Sequence, residues 1–149
     1  LEGARTARSD PARAGEAIGR ALALAPDDPF VRMAAYKFHF YNHAYEPAAA
    51  HAATCIRLFA ADLGLDADWR RLSPGDAEFS ALDPAIGRLL QSLIAWGYCR
   101  ARLGDVDQGR AAVAKAAELD PSDRFGAARL LAVIARGGIE PDFYGFPQD

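Results

Sequence analysis

Apolar and small residues recur at helical spacing along most of the chain, and the places where they stop divide it into short segments. Between 90 and 103, Leu93, Trp96, Gly97 and Cys99 fall on one stripe, as groups three and four residues apart do on one face of a helix. Gly104-Asp105 interrupts that stripe. Glycine ends helices, and aspartate caps the free N–H groups of the next one. Val106, Ala112, Val113, Ala116 and Leu119 then form a second stripe, which closes at Asp120-Pro121. Two stripes across so short a break predict an antiparallel helical hairpin over 90–121.

The same series recurs upstream. Asp10-Pro11 reads as a helix start, because Asp caps and Pro fits the first turn; Ala14, Ile18 and Ala21 follow on one face. The run ALALAP at 21–26 parallels AAELDP at 116–121, so this segment predicts a copy of the second helix of the hairpin, and residues 1–9 predict the last turns of its partner. From Pro29, the residues Phe30, Met33, Ala34, Lys37, Phe38 and Tyr41 predict a further amphipathic helix ending near Asn42. A slightly stretched turn over 43–47 lacks the usual glycine. Beyond it Ala48, Ala52, Cys55 and Leu58 repeat the small, apolar, small, apolar series.

This pattern resembles the tetratricopeptide (TPR) repeat, with Trp96-Gly97 on the first helix, Gly104-Asp105-Val106 at the turn, Gly109, Val113 and Ala116 on the second helix, and Leu119-Asp120-Pro121 at its exit. Pro26 and Pro121 are 95 residues apart, whereas two repeats of about 34 account for about 68, so roughly 27 residues are inserted. The stretch 62–83 breaks the Ala-rich period with Gly64 and Pro74-Gly75. It predicts one short helix around 68–72. Its Leu63, Leu65, Trp69, Leu72, Phe79 and Leu82 are too apolar for a free linker, and packing against the hairpins is expected. Asp83-Pro84 restarts a helix to about 103. Ser122-Asp123 predicts a last helix over 123–136 with Phe125, Ala128, Leu131 and Ile134 inward, ended by Gly137-Gly138 and similar to the capping helix of a solenoid. The expected fold is therefore all-α, a short TPR-like array of antiparallel hairpins (an α-solenoid). A single domain would cover 1–138 with its insertion at about 62–83, followed by an irregular aromatic tail, 139–149. Phe143, Tyr144 and Phe146 predict that this tail docks, either on the chain's own hairpins and insertion or in the groove of a neighbouring copy.

Composition changes this picture little. The 149 residues are 51% hydrophobic and 25% charged, in keeping with one folded domain. A net charge of −3, with Arg alternating with Asp and Glu, gives no overall basic face for nucleic acid. No apolar run approaches the roughly 20 residues that span a bilayer, and LEGARTARSD lacks the apolar stretch of a signal peptide. No membrane partner is expected, and the location is expected to be cytoplasmic. The chain opens at Leu1 rather than Met, which leaves room for an upstream segment.

Candidate chemistry is sparse. Cys55 and Cys99 match no metal or redox spacing and read as small buried hydrophobes. A phosphate loop, a GxSxG elbow, HExxH and CxxC are all lacking, so neither an enzyme nor a cofactor is expected. Asp27-Asp28 and the acids of 62–68 read as caps and solvating groups. His39, His43, His51 and Cys55 form two i, i+4 pairs on the two helices of one hairpin. His43 and Cys55 would lie on the order of 12 Å apart along its axis, so all four cannot share one ion, and a two-ligand site from His39 and His51 is the alternative.

The TPR resemblance implies that the first helix of each repeat lines a groove for a protein or peptide partner. Carried onto this chain, it singles out Val31, Ala35, Phe38 and His39 on one helix and Gln91, Ile94, Tyr98, Ala101 and Arg102 on the other. The expected function is a binding module or adaptor. The alternatives are a structural subunit that self-assembles into a homo-oligomer through its repeat end faces, or a histidine-based metal-binding helical protein.

Overall fold

Three Asp-Pro steps begin helices in the same way. The carboxylates of Asp10, Asp28 and Asp83 accept backbone N–H bonds from Arg13 (3.3 Å), Phe30 (2.8 Å) and Ala85 (2.9 Å), while the proline that follows gives up no bond a first turn could make. The computed structural model describes residues 10–136. The readings made above for 1–9, for Gly137-Gly138 and for the tail lie outside the described residues. Within them the chain is all-α, with α1 (Pro11–Leu24), α2 (Pro29–Tyr41), α3 (Tyr45–Asp62), α4 (Pro84–Arg102), α5 (Val106–Leu119) and α6 (Ala127–Ala135).

Consecutive helices pair. In the α2–α3 hairpin His39 stacks on His51, and the Cys55 thiol points to the Pro29 carbonyl at 3.8 Å. The turn is not stretched. Ala44 N–H donates to the His39 carbonyl at 2.8 Å, as Asp105 N–H donates to the Arg100 carbonyl at 2.9 Å in the α4–α5 hairpin. His43 (φ 58°) stands where Gly104 (φ 96°) stands in the second turn. A histidine thus takes the left-handed position that usually selects glycine, which is why sequence pattern suggested a different geometry.

α4 is buried on several sides, through Leu89, Leu90, Leu93 and Ile94, between α3 and α5. Its approach to α5 is set by Gly97 and Gly109. A Cβ on Gly109 would come within 2.5 Å of the Gly97 carbonyl oxygen, and one on Gly97 within 2.8 Å of the Gly109 carbonyl. Side chains of α2 also meet α4: Arg88 lies 4.8 Å over the Phe30 ring, and Phe40 is 5.3 Å from Tyr98. Both pairs take the same step along their helices, so α2 and α4 run parallel.

The insertion packs as expected, though as two single 3-10 turns, Trp69–Arg71 and Pro74–Asp76, in place of one short helix. Trp69, Leu72 and Phe79 are buried, whereas Leu82 is 90% exposed and contributes nothing to the core. Cations hold the segment by its backbone: Lys115 Nζ donates to the Leu72 carbonyl at 2.7 Å, and the Arg124 guanidinium donates to the carbonyls of Phe79 and Ala81.

The last helix begins at Ala127, four residues later than the capping pattern predicted. Asp120 accepts from Ser122 Oγ and Arg124 N–H, Asp123 takes φ 53°, and Gly126 takes φ 77°. These groups wind 120–126 into a turn that the helix cannot enter. The inward face is accordingly Ala127, Leu130, Val133 and Ile134, and Ala128 is exposed. Phe125 packs instead from the turn, 3.3 Å from where a Cβ of Gly87 would stand.

Candidate interaction surface

The residues expected to line a groove divide by burial. Val31, Ala35, Ile94, Tyr98 and Ala101 are buried; Phe38, His39, Gln91 and Arg102 are half-buried. Phe38 lies 3.5 Å from where a Cβ of Gly15 would stand, and Val31 and Ala35 share its stripe, so α1 covers that face of α2. His39 turns toward α3. The face of α2 that meets α4 is one position over: Phe30, Met33, Lys37 and Phe40 at helical spacing, with Tyr41 beside them. On α4 the matching stripe is Arg88, Gln91, Tyr98 and Arg102, so the expected Gln91, Tyr98 and Arg102 do lie along the contact.

This seam has a distinctive charge. α2 carries Arg32 and Lys37, α4 carries Arg88, Arg100 and Arg102, and neither helix contains a carboxylate. Glu16 of α1, Glu46 and Asp62 of α3, and Asp107 and Glu118 of α5 keep the other long helices mixed. Two of the five cations are directed away from the seam. Arg32 donates to the Pro26 carbonyl at 2.6 Å and reaches His51 Nδ1 at 3.1 Å. Arg100 pairs with Asp105 at 3.0 Å. Arg88 lies over Phe30 and Arg102 5.0 Å over Tyr45, and Lys37 shares the helical stripe of Phe30, Met33 and Phe40. A guanidinium lying on an aromatic face keeps its charge while gaining a fixed position. Phe30 is 47% exposed beneath Arg88.

On another side, the insertion and α3 enclose a surface cleft of about 370 Å³ lined by Thr54, Ile56, Arg57, Asp68, Trp69 and Trp96, among others. Its indoles touch each other, with centroids 5.7 Å apart. Its charge is mixed: Asp68 pairs with Arg70, while Asp66 and Asp68 pair with Arg71 nearby, and Arg57 adds a further cation to the lining.

The histidines separate. His39 and His51 stack with planes 7° apart and centroids 5.6 Å apart. Burial lowers the pKa of both, and Arg32 and His39 lower that of His51 further. Facing a guanidinium N–H, His51 Nδ1 is the acceptor, so the ring is neutral with its proton on Nε2. His43 lies 3.0 Å from Tyr45 Oη, and Cys55 is buried. Among the described residues no three of His, Cys, Asp and Glu gather as a metal site would need.

A buried polar cluster, Tyr36, Cys55, Ser92 and Cys99, fills the junction of α2, α3 and α4. Burial pushes the thiols of Cys55 and Cys99 up to about 12 and the Tyr36 phenol higher still. The Ser92 hydroxyl offsets part of the shift at Tyr36 and Cys55, yet Ser92 Oγ meets hydrogen-bond geometry with no partner. Such thiols stay protonated and unreactive at neutral pH.

Over 122 residues the chain is 38% identical to an uncharacterized 19.8 kDa protein in the nifW 5' region of Azotobacter chroococcum mcd 1, an alignment covering 80% of this chain and 68% of that one. The two belong to one family. No family model matches the chain, and no solved structure does. In this chain the α2–α4 seam is the surface with a consistent chemical sign. No helix among the described residues is long and apolar enough to cross a membrane.

Proposed function

We propose that this chain is a non-enzymatic binding module, a TPR-like array whose parallel α2 and α4 helices hold an extended acidic peptide or protein segment. The observation that carries this reading is the cationic, carboxylate-free composition of those two helices in a chain whose net charge is −3. A surface that served only to solvate would mix both signs, as α3 and α5 do. The repeated turn, the glycine crossing of α4 with α5 and the parallel course of α2 and α4 support the TPR-like arrangement. Phe30, Met33 and Tyr41 would supply apolar contacts, and Lys37, Arg88 and Arg102 would supply charge-assisted hydrogen bonds worth about 1.5–3 kcal/mol each.

Selection from a library of displayed extended peptides tests the reading. Enriched sequences should combine carboxylates with aromatic residues. Their affinity should fall at least about tenfold in Lys37→Glu or Arg88→Glu, and should weaken as salt is raised. Melting should stay within a few degrees. Enrichment without a sequence preference, or binding indifferent to both substitutions, would refute the assignment.

A further inference from the structure

The chain contains a segment with the complementary chemistry. Residues 139–149, IEPDFYGFPQD, hold Glu140, Asp142 and Asp149 and no Lys or Arg, with Phe143, Tyr144 and Phe146 at short spacing. Pro141 and Pro147 restrict the backbone toward extended conformations and remove two donors. Acid and aromatic groups on an extended segment are what the α2–α4 seam, with Lys37, Arg88, Gln91 and Arg102 beside Phe30, Met33 and Tyr41, would receive.

Connectivity directs the end of the described chain toward one end of the seam. Phe125, in the turn before α6, touches the start of α4 at Gly87. α6 packs on α5 and follows it through a short connection, so it runs back toward the turn at 103–105, beside Arg102. Residues 137–149 could extend to about 43–47 Å, against a rise of about 28 Å for the 19 residues of α4. The whole seam is within reach without a second molecule. The cleft at Trp69 and Trp96 is a poorer match, because Asp68 in its lining, already paired with Arg70, would repel an acidic segment.

We infer that residues 139–149 are a resident occupant of the α2–α4 seam of the same chain, which an external acidic-aromatic partner must displace. This rests on the seam being a peptide-binding surface. Occupancy from within the chain sets a threshold: the external segment competes with a tethered one whose effective concentration is in the millimolar range for a short linker, so only a partner with better contacts gains the site.

The test uses the full chain and, as probe, a synthetic peptide of residues 137–149. In the unaltered chain the resident segment should block the probe. In a chain carrying Phe143→Ser, Tyr144→Ser and Phe146→Ser the probe should bind at least about tenfold more tightly, with NMR shifts confined to Lys37, Tyr41, Gln91, Arg102 and their neighbours. Glu140→Lys with Asp142→Lys, which leaves the aromatic residues in place, should admit the probe similarly. Equal affinity for altered and unaltered chains, or shifts away from the seam, overturns the inference. A dimer of the unaltered chain that the triple substitution dissociates also overturns it, by placing the segment on a second copy. An unrelated acidic-aromatic peptide separates the two claims. If it binds the seam of the triple variant and the 137–149 probe does not, residency fails and the binding module stands; if neither binds, both fail.

Discussion

The α2–α3 and α4–α5 hairpins share a turn down to individual hydrogen bonds, with residues 39, 40, 43 and 44 of one in the places of 100, 101, 104 and 105 of the other, yet their helices are held together by different means. In α4–α5 two glycines let backbone meet backbone. In α2–α3 the corresponding positions are Tyr36 and Ala48, both buried, and a phenol fills the space that the glycines leave out. Bulk at that point moves the hairpin's polar content inward. Tyr36 shares a buried junction with Cys55, Ser92 and Cys99, and the stacked pair His39 and His51 lies along the same α2–α3 contact. One hairpin is thus specified by close approach and the other by a filled, partly polar interface. Identical turns leave both solutions open because they fix where two helices start and how they are directed, but not how near they come.

The largest expected effect tests the close approach. Gly109→Ala would place a methyl group 2.5 Å from the Gly97 oxygen and 2.9 Å from the Ala101 nitrogen, both backbone atoms that cannot rotate away. Overpacking of this kind should cost about 3 kcal/mol, outweighing the gain in helix propensity of up to about 1 kcal/mol. The matching change in the other hairpin, Ala48→Gly, removes a small side chain and should cost about 1 kcal/mol, mostly through backbone entropy. Chemical denaturation measures both. If the two costs are equal, the hairpins do not differ in the way described.

This contrast also explains what the sequence made legible. Where Trp96-Gly97 and Gly109 set the register, Gln91, Tyr98 and Arg102 were placed on the face that meets α2, whereas Ile94 and Ala101, offered with them, are buried, Ala101 against Gly109 of α5. Where Tyr36 stands in for the glycine, the register of α2 slipped by one position. Phe30, Met33 and Lys37 were spent on the core, and Val31, Ala35 and Phe38, which α1 covers, were offered as surface. The helix starts at Asp-Pro were plain because capping is local chemistry. The late start of α6 was hidden because Asp120, Asp123 and Gly126 build their turn from bonds that spacing does not reveal, and His43 was missed because a left-handed histidine has no signature in composition.

A second test uses pH, since the histidine pair belongs to the first hairpin. His39 and His51 have lowered pKa values in the folded chain, so below the ordinary histidine value of about 6.5 the unfolded chain binds more protons than the folded one. Stability should be intact above that pH and decline as pH falls through the folded values. The decline should begin in α2–α3. Hydrogen exchange compared at pH 7.5 and 5.5 should show protection lost from α2 and α3 before α4 and α5, and His51→Gln should reduce the difference. Uniform loss across both hairpins would mean that the stacked pair does not set the acid limit.

The smallest expected effect isolates the turn itself. His43 and Gly104 occupy the same left-handed position, and nothing lies within 4 Å of where a Cβ of Gly104 would stand. A side chain there therefore meets backbone strain without a packing clash. A non-glycine residue in this region costs about 1–2 kcal/mol, while glycine loses about 0.5–1 kcal/mol through its freer unfolded state. His43→Gly should then stabilise the chain by about 0.5 kcal/mol, less whatever the contact between His43 and the Tyr45 hydroxyl contributes. Gly104→His, which gains no such contact, should destabilise it by about 0.5–1 kcal/mol. Opposite signs at the two positions would establish that the turns are equivalent and that the first hairpin tolerates a strained residue. Destabilisation by His43→Gly would instead show that the contact with Tyr45 outweighs the strain, and that histidine there holds the end of α2 against the start of α3.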